Sequence, residues 1–418
     1  MSGVCPPRRP QALRLSPQVV LAALLAVCAA CGPAGAAPAP QRYLLAHDMP
    51  WFQTKAYSGS WGWHWTMNHF DPDQPGEPIA SHYTPSIGPY DSHDPDALRC
   101  QIMLMKMAGI DGVIFDWYGT DDLYDYAANN RAAQQMAALL AKAGMHFALC
   151  YETQTIPTEI GKGMLTADQA VAHGQALMRW LAQNDFDSPA YVRLAGRPLL
   201  LSFGAPYYTD AQWNQVFSVL KTRPIYFTED NLLAPTAASG AFAWPNPGKG
   251  TQGALAQQTA FYAKAKAWPS FIASAFPRFD DIYAQAGVHP SWGHIDGDGG
   301  RTYTQTLTQA LKSGAPVVQL VTWNDWGEGT QIEPSVQDGT RDLAITQRLA
   351  RALWGRKIAF TAADLDLPIR WYRLRKADAG DAEALGMLDK VYAAVIAGDA
   401  ARARALMARC DKAAKAPK

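Results

Sequence analysis

The stretch VVQLVTWNDWGEGTQIEP (residues 317–334) begins as a nearly unbroken apolar run and ends in carboxylates set among tryptophan and glycine. A short run that is apolar on both faces fits a strand in a parallel sheet covered by helices. Just past its end stand Asp325 and Glu328, three positions apart. They are either a solvated turn or the acid–base pair of an enzyme, and the rest of the chain has to decide which.

The same pattern recurs upstream. YLLAH (43–47), GVIFDW (112–117), HFALCYE (146–152), PLLLSF (198–203), PIYFT (224–228), GAFAW (240–244) and FIASAF (271–276) are further strand candidates, which makes eight. Helix-like stretches or long loops separate them. One helix is expected after Asp94, a capping residue followed by Pro95 at the first helical position. Others are expected over roughly 127–143, 167–183 and 302–312. Eight strand units in this order predict an α/β fold, a (β/α)₈ TIM barrel, over residues 37–355. A doubly wound sheet is the alternative, but no glycine-rich phosphate turn follows any strand. HIDGDGG (294–300) lacks the ligand spacing of a calcium loop and reads as a turn. Residues 356–418 form a C-terminal extension. There LPIRWYRLRK (367–376) could be a strand or a packing segment, and 382–397 with 399–414 read as an alanine-rich helical hairpin.

Composition narrows the function classes. The 418 residues carry 37 Lys plus Arg against 37 Asp plus Glu, with no basic run, which argues against nucleic acid or an anionic membrane as partner. The first 36 residues read as a signal peptide: Arg8 and Arg9, an apolar run from Val19 to Ala30, then Ala34-Gly35-Ala36 as a cleavage site. That run is short for a membrane span. Export to the periplasm or the outside is expected, with a lipid anchor at Cys31 as the alternative to simple cleavage. The cysteines left, Cys100, Cys150 and Cys410, have no zinc spacing and read as small buried hydrophobes.

Polar residues gather where the strands end. HDMPWF, DWYGTDD, YETQT, TEDN, WPNP and NDWGEGTQIE each follow a strand candidate. In a barrel these are the loops of the catalytic face, so Asp48, Asp116, Glu152, Glu229, Asp325 and Glu328 should converge on one rim. Carboxylates at a rim rich in tryptophan suggest sugar chemistry. One carboxyl protonates the leaving oxygen while a second acts as base or nucleophile, and aromatic rings cover the C–H faces of sugars. GSWGWHWTMNHFDPD (59–73) reads as a sugar-stacking loop through Trp61, Trp63 and Trp65, or else as a β-hairpin with one Trp face under the barrel. There is no serine nucleophile elbow and no cysteine–histidine pair. The histidines at 64, 69, 82 and 93 lack a metal-binding spacing, so neither a metal nor a cofactor is expected.

Two long motifs, PSIGPYDSHDPDALRCQIMLMKMAGIDGVIFDWYG (85–119) and WNDWGEGTQIEP (323–334), resemble the glycoside hydrolase family 99 and family 71 group. The resemblance spans most of residues 43–350 and implies a (β/α)₈ endo-α-mannosidase or mannanase, or an endo-α-1,3-glucanase. Glu328 matches the family 99 general acid/base. Asp325 stands where family 99 carries Glu and family 71 carries Asp, and the shorter side chain favours room for a water and an inverting route. Glu152 matches a family 99 Glu that contacts the sugar. Asp48, Trp51, Tyr90, Asp91, Asp116, Trp117, Asn324 and Trp326 occupy other substrate-facing positions by the same resemblance, although Asp116 replaces a Ser often seen there. The expected function is an exported endo-acting glycoside hydrolase on α-mannan or α-1,3-glucan. The alternative is a catalytically silent barrel that binds glycans.

Overall fold

The structure is a computed structural model that describes Gly3 and residues 42–74, 78–204, 207–230 and 236–415. The leader expected over residues 1–36, with its lipidation alternative at Cys31, lies outside the described residues apart from Gly3. Arg42–Lys418 forms one compact unit. Among the described residues, no helix is long and apolar enough to cross a membrane.

Eight parallel strands close into a barrel: β1 (Tyr43–Asp48), β2 (Gly112–Trp117), β3 (His146–Glu152), β4 (Arg197–Phe203), β5 (Ile225–Glu229), β6 (Gly240–Phe242), β7 (Ile272–Ala275) and β8 (Val317–Leu320). Each pairs with the next, and β8 returns to β1 with Val317 opposite Tyr43, which closes the ring. All eight coincide with the apolar runs of the sequence. Alternation along each strand sorts side chains into two cores. Tyr43, Leu45, Ile114, Cys150, Leu199, Leu201, Phe227, Phe242 and Val317 fill the barrel. Their neighbours, among them Leu44, Val113, Phe115, Leu149, Leu200, Tyr226 and Val318, face the helices. Gly112 is needed where β2 starts, because a Cβ there would stand 1.7 Å from the His146 carbonyl oxygen.

The outer layer is α1 (Pro95–Ala108), α2 (Tyr126–Lys142), α3 (Ala170–Leu181), α4 (Asp210–Phe217), α5 (Gly250–Ala265), α6 (Arg301–Lys312) and α7 (Arg341–Trp354). The Asp94 carboxylate caps α1 by accepting the Asp96 N–H at 2.9 Å. Between β5 and β6, residues 236–239 form a turn and lead into β6.

After the barrel come α8 (Leu367–Ala377), α9 (Ala382–Ile396) and α10 (Ala400–Lys415). LPIRWYRLRK is therefore helical, not extended. Pro368 sits in the first turn, where its missing N–H costs nothing. Trp371 is fully buried and donates its indole N–H to the Leu388 carbonyl at 2.8 Å. Tyr372 and Lys376 of α8 reach Asp94 at 3.2 Å and 2.7 Å, so the tail helps hold the cap of the first barrel helix.

The tryptophan-rich loop departs from both expectations. It forms two short helices, Lys55–Ser58 and Trp63–Thr66, rather than a hairpin or a stacking platform. Trp65 is fully buried, with its indole N–H on the Tyr90 carbonyl at 2.8 Å. Trp61 is tied to Asp73 at 2.8 Å, and only Trp63 is substantially exposed. Helical rather than extended backbone breaks the alternate-residue pattern that would align the three rings.

Candidate active site

Strand alternation decides which loop-end residues look into the barrel mouth. His47, Asp116, Glu152, Phe203, Glu229 and Trp244 share the inward parity of the barrel-filling residues. Asp116 and Glu152 are buried and share a hydrogen bond. Asp325 and Glu328 come in from the loop after β8. The Asp325 side-chain oxygen accepts the Glu328 backbone N–H at 2.9 Å, which folds the segment into a tight turn. Gly327 sits inside that turn, where a Cβ would come within 3.0 Å of Met67 and 3.5 Å of the Asp325 carboxylate. Glu328 lines a cleft of about 810 Å³ with Gln154, Phe203, Glu229, Trp244 and Trp292.

The carboxyls sense one another. Burial first, then the charges of Glu152 and Asp325, hold Asp116 well above the usual carboxylate range. Glu152 is pushed up to about 7, chiefly by burial, and Glu229 adds to the rise while Gln154 opposes it. Burial, Asp325, Asp281 and Glu152 raise Glu328 well above its ordinary value, against a smaller opposing pull from the Trp244 indole. Asp325 rises by burial only to about 6, because the backbone N–H groups of Glu328 and Gly327 stabilise its anion. Among the described residues, none of these four carboxylates is paired with a Lys, Arg or His. Burial and the neighbouring charge thus favour the protonated form more strongly at Glu328 than at Asp325. Tyr118 and Tyr283 stand close enough for the same carboxylates to raise their hydroxyl pKa values.

Other residues expected to face substrate are used elsewhere. Asp48 has the outward parity, and the charge that bears on it is that of Glu333; burial raises it to about 8. His47, its neighbour, takes the inward place, with its ring 5.0 Å from Trp244. Trp117 also points outward, packs on Trp180 and donates to Asn130 at 2.9 Å. The Asp91 carboxylate is taken up by Thr54, Ser58 and His93, so it braces the loop after β1. Asn324 clamps that same loop, accepting the Met49 N–H at 2.7 Å and donating to its carbonyl at 3.1 Å. Tyr90 donates to Glu333 at 2.7 Å and receives Asn324 at 3.1 Å and Trp326 at 3.4 Å; both Tyr90 and Trp326 are buried. Trp51 is buried, stacked on His64 at 4.0 Å and 6.2 Å from Tyr118.

Sequence reading passed over Glu333, Gln154, Phe203 and Tyr283. Glu333 follows the same motif five residues after Glu328, and its burial with Gln101 and Tyr90 needs the third dimension to be seen. Trp244 was visible at a strand end in WPNP, and period-two alternation would have turned it inward.

No family model matches the chain. Glycoprotein endo-α-1,2-mannosidase of Mus musculus is 21% identical over 72% of this chain and 70% of its own length. An endo-α-1,2-mannosidase-like protein of Mus musculus is 30% identical over 109 residues, 22% of this chain, which spans only 24% of that relative. The crystal structure of the family 99 endo-α-mannosidase of Bacteroides thetaiotaomicron superposes with a TM-score of 0.58 at 20% identity, over 75% of this chain and 98% of the other. The family 71 half of the sequence resemblance gains no support from these matches. The chain is thus similar to these endo-α-mannosidases in its barrel fold and, more distantly, in sequence.

Proposed function

We propose that the chain is an endo-acting glycoside hydrolase that cleaves α-linked, mannose-containing glycan, with Glu328 as general acid and Asp325 as general base. The observation that carries this reading is the difference in proton affinity between these two neighbouring carboxyls. Burial and nearby carboxylates raise the proton affinity of Glu328, while two backbone N–H groups hold down the rise at Asp325. Glycoside cleavage needs one carboxyl in each state. The names of the similar proteins support the mannose preference, and the family 71-type alternative, α-1,3-glucan, serves as comparison. The leader-like first 36 residues support an exported enzyme.

Glu328 delivers its proton to the glycosidic oxygen as the bond to the anomeric carbon breaks. Asp325 draws a proton from water attacking the opposite face. One Asp325 oxygen accepts the Glu328 N–H of its own turn, which helps fix the carboxylate toward the water. Trp244, Phe203 and Trp292 offer aromatic faces along the cleft for sugar rings.

The test is release of reducing ends from α-mannan, α-1,3-glucan and dextran, with Glu328→Gln as control. Release from mannan alone, abolished in the variant, is expected. Silence on all three substrates, together with tight glycan binding, would instead identify a binding barrel. Proton NMR of the first product should show the β-anomer, and an α-anomer before mutarotation would refute the water route.

A further inference from the structure

A second polar cluster lies behind the carboxylate cleft and takes no part in the chemistry above. Asp121 belongs to the loop after β2, Glu159 to the short helix Thr155–Gly161 after β3, and His173 to α3. One ligand atom from each lies within 4.8 Å of the others. The His173 Nε2 atom is 3.3 Å from an Asp121 oxygen and 3.5 Å from a Glu159 oxygen. Charge-assisted hydrogen bonds close to about 2.7–2.9 Å. Ligands about 2.0–2.1 Å from a tetrahedral metal stand about 3.4 Å apart. The two His173 distances are thus looser than charge-assisted hydrogen bonds and close to the separation of ligands around an ion.

Glu159 supplies the independent observation. Its side chain is 2% exposed, yet neither carboxylate oxygen has a hydrogen-bond partner. The Asp121 Oδ2 and His173 Nε2 atoms are likewise buried and without a hydrogen bond. Among the described residues, the ion pairs of Asp121 and Glu159 are with His173 alone, so no Lys or Arg neutralises the two acids. A buried carboxylate met only by an imidazole and without a hydrogen bond is costly, and a cation removes that cost.

We propose that Asp121, Glu159 and His173 bind a divalent transition metal, zinc by preference, as a structural clasp between the second and third strand–helix loops. One imidazole and two carboxylates suit zinc, and a water completes the tetrahedron. Calcium needs six to eight oxygen ligands, and magnesium keeps its own waters, so neither suits three protein ligands that include a nitrogen. Two carboxylates and a neutral imidazole cancel the charge of the ion. The clasp ties together the two loops that follow Asp116 and Glu152, and it touches neither.

The test uses the tag-free chain after dialysis against a chelator. Zinc uptake is followed by isothermal titration calorimetry and elemental analysis, with thermal unfolding alongside. One equivalent of zinc per chain and a higher melting temperature are expected. Glu159→Gln keeps the side-chain shape, and His173→Ala removes the imidazole; each should weaken uptake by about 100-fold or more. Failure of the metal-free chain to take up zinc at micromolar concentration would overturn the proposal. So would uptake unchanged in both variants, which would assign the ion to the cysteines or another surface. Uptake of calcium in place of zinc would overturn it as well. Because the readouts are stoichiometry and melting temperature, their outcome is independent of whether the chain cleaves glycans.

Discussion

The two ends of the barrel treat their carboxylates in opposite ways. At the floor, Asp111 receives the Leu44 N–H at 2.7 Å and is paired with the Arg356 guanidinium, so each of its oxygens has a donor. At the mouth, Asp116, Glu152, Asp325 and Glu328 crowd together with no basic partner among the described residues, and burial raises the proton affinity of all four. Had stability alone shaped the mouth, an arginine would serve there as it does at the floor. Four raised carboxyls crowded together at one end of a packed scaffold are the usual mark of a reactive site.

The sharpest way to break this contrast is to neutralise one residue at each end. Glu328→Gln and Asp325→Asn should each lower kcat by about 10²–10⁴-fold, with the fold intact by circular dichroism. Asp111→Asn should leave kcat per folded molecule unchanged. Away from both ends, Trp371→Ala should cost about 3–5 kcal/mol in urea unfolding without changing KM, because it empties a fully buried site in α8. A KM that moved with it would mean that the tail reaches the cleft.

Titration sharpens the contrast further. The kcat/KM profile should fall on the acid side near pH 6, where Asp325 takes up a proton, and fall again in alkali as Glu328 loses one. Stability should run differently. Asp48 at about 8, with Glu152 and Glu333 at about 7, holds its proton in the folded chain at pH values where the unfolded chain has released it. Raised folded values favour folding at low pH, and that advantage is lost as pH rises through 7 to 8. The melting temperature should therefore decline between pH 5 and pH 8.5, and Asp48→Asn should flatten the decline. The smallest effect concerns Asp111. Losing its charge should cost about 1–2 kcal/mol, the worth of charge-assisted bonds at a part-exposed site. A larger loss than that of Trp371→Ala would mean that the floor, too, depends on a single charge.

Much of this molecule was legible in its sequence because barrel strands are short, apolar throughout and punctuated by polar ends. All eight runs became strands for that reason. Helix α5 was not singled out, since its apolar residues are spread around the axis and give little periodic signal. For the candidate site, the strand-end rule marked Asp116, Glu152, Asp325 and Glu328, which the fold brings close together. It carried Asp48 and Trp117 along only because position at a strand end was weighed without parity; one residue's shift turns a side chain to the other face. Tyr90, Asn324 and Trp326 sit in motif positions, yet they bond to the loop after β1 and to one another. The cluster of Asp121, Glu159 and His173 was beyond reach, because residues 38 and 14 positions apart meet only through the packing of two loops on α3.

The grip of α8 on Asp94 has a consequence in time. Tyr372 and Lys376 lie 278 and 282 residues after the helix cap they complete. A ribosome making this chain from its N-terminus releases α1 long before the groups that secure its first turn exist. Until then the apolar side of α1 that later meets α8 has only solvent or a chaperone to cover it. Contacts so distant in sequence form late. The cap of α1 is thus completed only after every strand of the barrel has been made.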